Sequence, residues 1–100
     1  MSEFQSLPPS KVLHIRNLPE ECNEMDIRTL ASQYGEVHRV LLLSRKHQAF
    51  VEYTSLEESA RMLDACETTP MRLGTRVLVA QYSNKPEISA PENRGDGEGG

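Results

Sequence analysis

Apolar residues recur along the chain with two periods, and the changes of period predict its elements. Residues 12–16 alternate apolar and polar side chains, which is typical of a half-buried strand. In the next stretch an apolar side chain recurs every three to four residues, which predicts a helix with a buried stripe of Ile27, Leu30, Ala31 and Tyr34. Asn23 and Asp26 are placed to cap the start of this helix, and Gly35 is placed to end it.

Four more elements follow with the same two periods. Residues 37–43 and 48–53 are predicted strands, joined as a hairpin by the polar and basic residues 44–46. Ser55 and Glu58 have the spacing of a capping box, and a helix is predicted from residue 56 to about residue 66. Residues 77–82 form the last predicted strand, so the order of elements is β-α-β-β-α-β.

This order favours an α+β fold of the ferredoxin-like, split βαβ type. Two helices can cover only one face of a four-stranded antiparallel sheet, so we expect both helices on one face and solvent on the other. Because many unrelated functions use this fold, the function has to be inferred from the side chains that the sheet presents.

Composition and charge place the folded domain at residues 11–85. Residues 1–10 and 86–100 hold few large apolar groups and many Pro, Gly, Ser and acidic residues, so we expect a flexible N-terminal flank and a disordered acidic, Gly-rich tail or linker. The net charge is −4, but residues 11–85 contain ten basic and ten acidic residues. A neutral domain is not expected to be a strong nonspecific phosphate binder.

Cysteine usage and hydropathy exclude several other classes of protein. Cys22 and Cys66 lie in no metal-ligand spacing and are expected to be reduced thiols. The chain has no secretory signal pattern and no apolar run approaching ~20 residues, so we expect a soluble intracellular protein that contacts no membrane.

Strand alternation divides the side chains of the sheet between its two faces. The predicted inner set, which should pack under the helices, is Leu13, Ile15, Val40, Leu42, Ala49, Val51, Tyr53, Leu78, Ala80 and Tyr82. The predicted outer set is His14, Arg16, Arg39, Leu41, Leu43, Lys46, Gln48, Phe50, Glu52, Val79 and Gln81. An exposed face with a ring, an imidazole and several cations is suited to unpaired nucleobases, because bases offer π-faces and phosphates offer negative charge.

Two of the strands carry family motifs. Residues 46–53, Lys-His-Gln-Ala-Phe-Val-Glu-Tyr, match five of the seven specified positions of the RNP1 pattern, and the departures are His47 and Gln48. Residues 13–18, Leu-His-Ile-Arg-Asn-Leu, fit the RNP2 pattern except that His14 replaces an aromatic residue. The chain therefore resembles an RNA recognition motif. Within this class, the chain resembles the polypyrimidine-tract-binding protein and hnRNP L family. The similar residues are His14, the leucine-rich residues 40–43, the Gln-Ala-Phe of residues 48–50 and the Gln-Tyr-Ser-Asn of residues 81–84.

The resemblance implies binding of short, single-stranded, pyrimidine-rich RNA by one module of a nuclear regulator of splicing or other mRNA processing. It implies that His14 packs on one base, Phe50 on a sugar or base and Leu41 beneath another, while Gln48 hydrogen-bonds a base edge. The chain leaving the sheet would read adjacent bases through Ser83, Asn84 and Lys85. Leu43, Val79 and Gln81 complete the expected surface, and Arg16, Arg39 and Lys46 are candidate phosphate contacts that could instead serve only solubility.

Two other classes of function remain as alternatives. The low aromatic content of 5% and the missing ring at Gln48 would also suit a domain used mainly for protein contacts through its helices or exposed leucines. His14, His38 and His47 have no carboxylate or thiol at ligand spacing, and no nucleophile–base grouping occurs, so no metal, cofactor or enzymatic activity is predicted. The isolated domain is expected to be a monomer.

Overall fold

The computed structural model describes residues 8–84 and confirms the predicted order of elements. Strand β1 (Val12–Arg16) leads to helix α1 (Glu24–Ala31), and β2 (Val37–Leu43) is joined to β3 (Gln48–Tyr53) by a short 3-10 turn, Ser44–Lys46. Helix α2 (Leu56–Thr68) is followed by two short strands, β4 (Arg72–Leu73) and β5 (Arg76–Val77), and by β6 (Val79–Tyr82). The predicted tail and most of the predicted N-terminal flank lie outside the described residues.

The four long strands form one antiparallel sheet in the order β2-β3-β1-β6. The two central strands, β1 and β3, carry the two motifs, and His14 lies directly opposite Phe50. Neither helix of residues 8–84 has the length and hydropathy of a transmembrane segment.

The core lies between the inner face of the sheet and the two helices. Leu13, Ile15, Ala49, Val51 and Tyr53 are buried there with Ile27, Ala31 and Met62 of the helices, and the predicted inner residues of β2 and β6 pack against them. The Tyr53 hydroxyl donates a hydrogen bond of 2.6 Å to the carbonyl oxygen of Ala31, which ties β3 to the end of α1. Burial raises the pKa of this hydroxyl far above its usual value, because an ionised phenolate would lose its hydration there.

Helix α1 begins as predicted but ends early. Asn23 accepts a hydrogen bond from the Asp26 N–H, and the Asp26 carboxylate accepts one from the Asn23 N–H, so the N-terminus has a reciprocal capping box. The helix ends at Ala31, with Ser32 as the C-cap in a right-handed conformation, so the prediction that Gly35 ends it is wrong. Gly35 is required for packing instead, because a Cβ there would lie 2.5 Å from Cβ and Cγ of Glu58.

Helix α2 has half of its predicted capping box. The Ser55 hydroxyl accepts a hydrogen bond from the Glu58 N–H, as predicted. The Glu58 carboxylate instead accepts hydrogen bonds from the Glu36 N–H at 3.2 Å and from the Thr54 hydroxyl at 2.7 Å. These bonds lower the pKa of Glu58 below its usual range and link the start of α2 to the segment that enters β2.

The segment before the last strand differs from the prediction. Val77 belongs to the small β4–β5 hairpin, and the sheet strand begins at Val79. Gly74 turns this hairpin with a φ of 63°, which glycine adopts readily.

The N-terminal boundary also moves slightly into the predicted flank. The Ser59 hydroxyl donates a 2.6 Å hydrogen bond to the Ser10 carbonyl oxygen, and the Ser10 hydroxyl accepts one from the Val12 N–H. Ser10 is therefore part of the folded domain.

The two cysteines are free thiols. Cys22 is buried, and Cys66 is half-buried with its Sγ 3.6 Å from the Met71 Sδ. Burial raises the pKa of both thiols, so neither is expected to be a reactive thiolate.

Candidate nucleic-acid interface

The outward-facing side chains of the four long strands form a surface of three rows, called here the open face. Strand register places Leu43, Gln48, Arg16 and Val79 in the first row, and Leu41, Phe50, His14 and Gln81 in the second. The third row holds Arg39, Glu52 and Val12. Because the core residues occupy the alternate positions, the open face lies on the side of the sheet away from both helices.

The second row is centred on a stacked pair of rings. The His14 and Phe50 centroids are 4.5 Å apart, and the ring planes differ by 11°. Two rings lying edge to edge in one plane would collide at this distance, so the rings overlap face to face. Each ring therefore covers part of one face of the other, and its opposite face is the larger surface left for a base. The sequence alone predicted two exposed neighbours but not this overlap.

Two diagonal hydrogen bonds connect the first and second rows. His14 Nε2 lies 2.9 Å from Gln48 Oε1, and Arg16 Nη2 donates to Gln81 Oε1 at 2.8 Å. Because Gln48 Oε1 can only accept, His14 donates from Nε2 in this arrangement. These two bonds orient the His14, Gln48, Arg16 and Gln81 side chains before any ligand arrives.

A cavity of about 240 Å³ lies at the β1–β6 side of the stacked pair. It is lined by His14 and Phe50 and by the end of the last strand, Gln81, Tyr82, Ser83 and Asn84. A site with one aromatic wall and several polar groups is of the kind that holds a flat ligand and fixes its orientation.

The predicted site residues fall into three groups. Most lie on the open face and are exposed or half-buried: Arg16, Arg39, Leu41, Leu43, Gln48, Val79 and Gln81, with the stacked His14 and Phe50. Lys46 is exposed in the 3-10 turn beside the first row, and Asn84 is exposed beside the cavity. Ser83 lines the cavity but is only 4% exposed, and Lys85 lies outside the described residues.

The third row is less accessible than alternation predicts. Glu52 is 5% exposed and Val12 is 1% exposed, although both occupy outward positions. The accessible part of the open face therefore consists of the first two rows and Arg39.

Two loop residues beside the first row adopt left-handed conformations that sequence reasoning missed. His47 has a φ of 57°, which explains why the RNP1 pattern has glycine at this position. Asn17 has a φ of 70°, and its side chain donates to the Val77 carbonyl and accepts from Arg76, each at 2.8 Å. Asparagine is among the residues that tolerate a left-handed conformation, so the residue type at position 17 was the one available sequence signal for this turn.

Within residues 8–84, no three His, Cys, Asp or Glu side chains are grouped so that they could hold a metal ion.

Comparison with known families defines the class to which this domain belongs. The family model described as "RNA recognition motif" matches residues 13–78. The chain therefore belongs to the RNA recognition motif family, a family of RNA-binding domains rather than enzymes.

Relatives within this class include two proteins from Arabidopsis thaliana. The chain is 36% identical over 85 residues to "Polypyrimidine tract-binding protein homolog 2" and 34% identical over 92 residues to "Polypyrimidine tract-binding protein homolog 1". These matches cover 81% and 88% of this chain but 20% and 23% of the relatives, so the chain spans about a fifth of their length. These relatives confirm the resemblance found in the sequence.

The fold also matches solved structures. One is the RRM of Rna15 with bound RNA (GU), at a TM-score of 0.70 and 28% identity, covering 84% of this chain and 94% of that one.

Proposed function

We propose that this domain binds short, single-stranded, pyrimidine-rich RNA on the open face. The observation that carries the proposal is the stacked pair of His14 and Phe50 at the centre of that face, half-exposed and beside a cavity. Unpaired bases stack on such rings with ~1–3 kcal/mol per base. The names of the related proteins, which refer to polypyrimidine tracts, and the RNA-bound Rna15 domain support the proposal.

The pairwise overlap of the two rings limits how many bases can stack. Each ring offers one face, so we expect about two stacked nucleotides: one against His14 in the cavity and one against Phe50 on the Leu41 side. Gln48, Gln81 and Asn84 supply hydrogen bonds to base edges, and Arg16, Arg39 and Lys46 are placed to contact phosphates. Few strong contacts on a neutral domain imply a dissociation constant on the order of micromolar, about −8 kcal/mol.

The whole protein is proposed to act in RNA processing, for example in splicing, and in the nucleus. The names of the related proteins support this proposal. Because the chain matches only about a fifth of the length of these relatives, we expect sister domains that add affinity by binding the same RNA.

Fluorescence anisotropy with short CU-rich, A-rich and G-rich RNAs of equal length tests the proposal. We expect micromolar binding to the CU-rich RNA and binding at least several-fold weaker to the other two. Equal affinities would contradict the pyrimidine preference, and no binding to any RNA at low salt would contradict RNA binding by this domain.

A second candidate function, a protein-binding role, is supported by a different surface. A cavity of about 440 Å³ opens beside the C-terminal end of α2, with Tyr34, Ala65, Met71 and Arg72 among its lining residues. In the RNA titration this candidate predicts no affinity for any of the three RNAs.

A further inference from the structure

The orientation of the Gln81 carboxamide is fixed by its neighbour. Arg16 Nη2 donates to Gln81 Oε1 at 2.8 Å. A guanidinium has only donors, so a carboxamide turned the other way would place its NH2 against an N–H group. The side-chain oxygen of Gln81 is therefore held by Arg16, and its NH2 group remains to meet a ligand.

Gln81 stands at the cavity where a base would stack on His14. It lies directly opposite His14 across the β1–β6 pair and lines the cavity with it. Phe50 covers one face of the imidazole, so a base stacking on the other face would have its edge beside Gln81. Of the other cavity residues, Tyr82 packs against the core and Ser83 is buried. Asn84 is exposed, and its carboxamide can both donate and accept a hydrogen bond.

A pyrimidine that enters this cavity base first, with its sugar left in solvent, leads with position 4. This position lies across the ring from N1, which carries the sugar, and the sugar-phosphate chain stays in solvent. Uracil has a carbonyl acceptor at position 4, whereas cytosine has an amine donor. An amine facing the Gln81 NH2 would place two donors against each other and leave both unpaired.

We propose that Arg16 positions Gln81 so that the cavity beside His14 selects uracil over cytosine. Arg16 is thus a positioning residue for base choice in addition to a candidate phosphate contact, and Gln81 is the specificity-determining residue. The inference rests on the proposed RNA binding by the open face and goes beyond it, because a general preference for pyrimidines does not distinguish the two bases.

The test compares RNAs that differ by one base. A CU-rich RNA of about five nucleotides is prepared with uracil or cytosine at each position in turn, and dissociation constants are measured by fluorescence anisotropy at one salt concentration. At one position we expect uracil to bind roughly threefold to tenfold more tightly than cytosine, the discrimination that one hydrogen bond provides.

Two variants test the mechanism. The readout is the dissociation constant of the cytosine RNA divided by that of the uracil RNA, called here the cytosine-to-uracil ratio, and not affinity alone. In Arg16→Met the Gln81 amide can turn, so the ratio should fall to about one while both RNAs bind more weakly. In Gln81→Glu the cavity-facing oxygen can only accept, so the preference should shift toward cytosine. The matched control is Arg28→Met on helix α1, where the arginine pairs with Glu24, and it should leave both affinities and their ratio unchanged.

The outcomes separate this inference from the proposed function. RNA binding with a cytosine-to-uracil ratio that is near one at every position, or that neither variant changes, would overturn the inference and leave RNA binding intact. Absence of RNA binding by the parent domain would remove both.

Discussion

His14 and Phe50 are stacked on each other, so the contributions proposed for them to RNA binding are coupled. Removing either ring takes away a stacking surface and also the neighbour against which the other ring is packed. The coupling follows from their directly opposed positions on β1 and β3, where opposed Cβ atoms are about 4.5–5.5 Å apart.

Phe50→Ala should weaken RNA binding by about 1–3 kcal/mol. The fold should survive, because the ring is external and the lost stacking with His14 is worth only about 0.5–1.5 kcal/mol of stability. Paired anisotropy titrations and urea unfolding curves measure the two effects. Val51→Ala, the next residue on the opposite face, should show the reverse pattern: RNA affinity is kept, while stability falls by about 2 kcal/mol. An unfolded Phe50→Ala variant would mean that the assignment of inner and outer faces is wrong.

His47→Gly should increase the free energy of unfolding by about 1 kcal/mol. A side chain at a φ of 57° costs roughly 1–2 kcal/mol, part of which the greater freedom of glycine in the unfolded chain offsets. The variant also removes a buried Nδ1 that finds no hydrogen-bond partner among residues 8–84. Urea unfolding measures the change, and His38→Gly, at an exposed position of β2 without a positive φ, should lose stability instead. A stability loss in His47→Gly as large as that in His38→Gly would contradict the strain at position 47.

At the scale of elements, Glu58 joins the N-terminus of α2 to the segment before β2. Its carboxylate accepts hydrogen bonds from Glu36 and Thr54, and its side chain packs over Gly35, where no larger residue fits. A residue that the sequence presents as a cap therefore also links two elements.

The stability that Glu58 provides should depend on pH. Its pKa is lowered by the hydrogen bonds from Thr54 and Glu36, so the folded state favours the ionised carboxylate. The stability that Glu58 contributes is fully present above its unfolded-state pKa of about 4.3. It is lost as the pH falls through the lower folded-state pKa. Urea midpoints of the parent and Glu58→Gln should differ at pH 7 and converge toward pH 3. A difference that stays constant over this range would contradict the assignment.

Most of the elements could be predicted because period and spacing are local properties of the chain. The β1 and β3 alternation, the Asn23 cap and the Ser55 cap follow from neighbours within four residues. The role of Gly35, the second partner of Glu58 and the burial of Glu52 depend on residues far away in sequence, so no local pattern indicates them. The β4–β5 hairpin is short, and Gly74 was the one available signal for it.

The candidate site likewise has features that local sequence predicts and features that depend on residues far away in sequence. Alternation and the motifs predicted which side chains share the open face. The overlap of His14 with Phe50 and the diagonal bonds from His14 and Arg16 to the glutamines are tertiary geometry, which rotamers and register decide together.

At the scale of the whole molecule, a domain without net charge should bind RNA with a weak dependence on salt. Three cations, Arg16, Arg39 and Lys46, are the proposed phosphate contacts, and each contact to a single strand contributes a slope of about −0.7. A plot of the logarithm of affinity against the logarithm of salt should therefore have a slope of about −2. Lys46→Gln should reduce its magnitude by about 0.7, and Arg28→Gln on the helix face should leave it unchanged. A parent slope of −5 or steeper would contradict the neutral-domain account.

The central claim, that the open face is the surface that holds RNA, is tested most directly by amide NMR shifts during titration with a CU-rich RNA. We expect the largest shifts in the second row, at Leu41, Phe50, His14 and Gln81, with smaller shifts in the first row and little change in α1 and α2. Shifts confined to the two helices, with the second row unchanged at saturating RNA, would contradict the account.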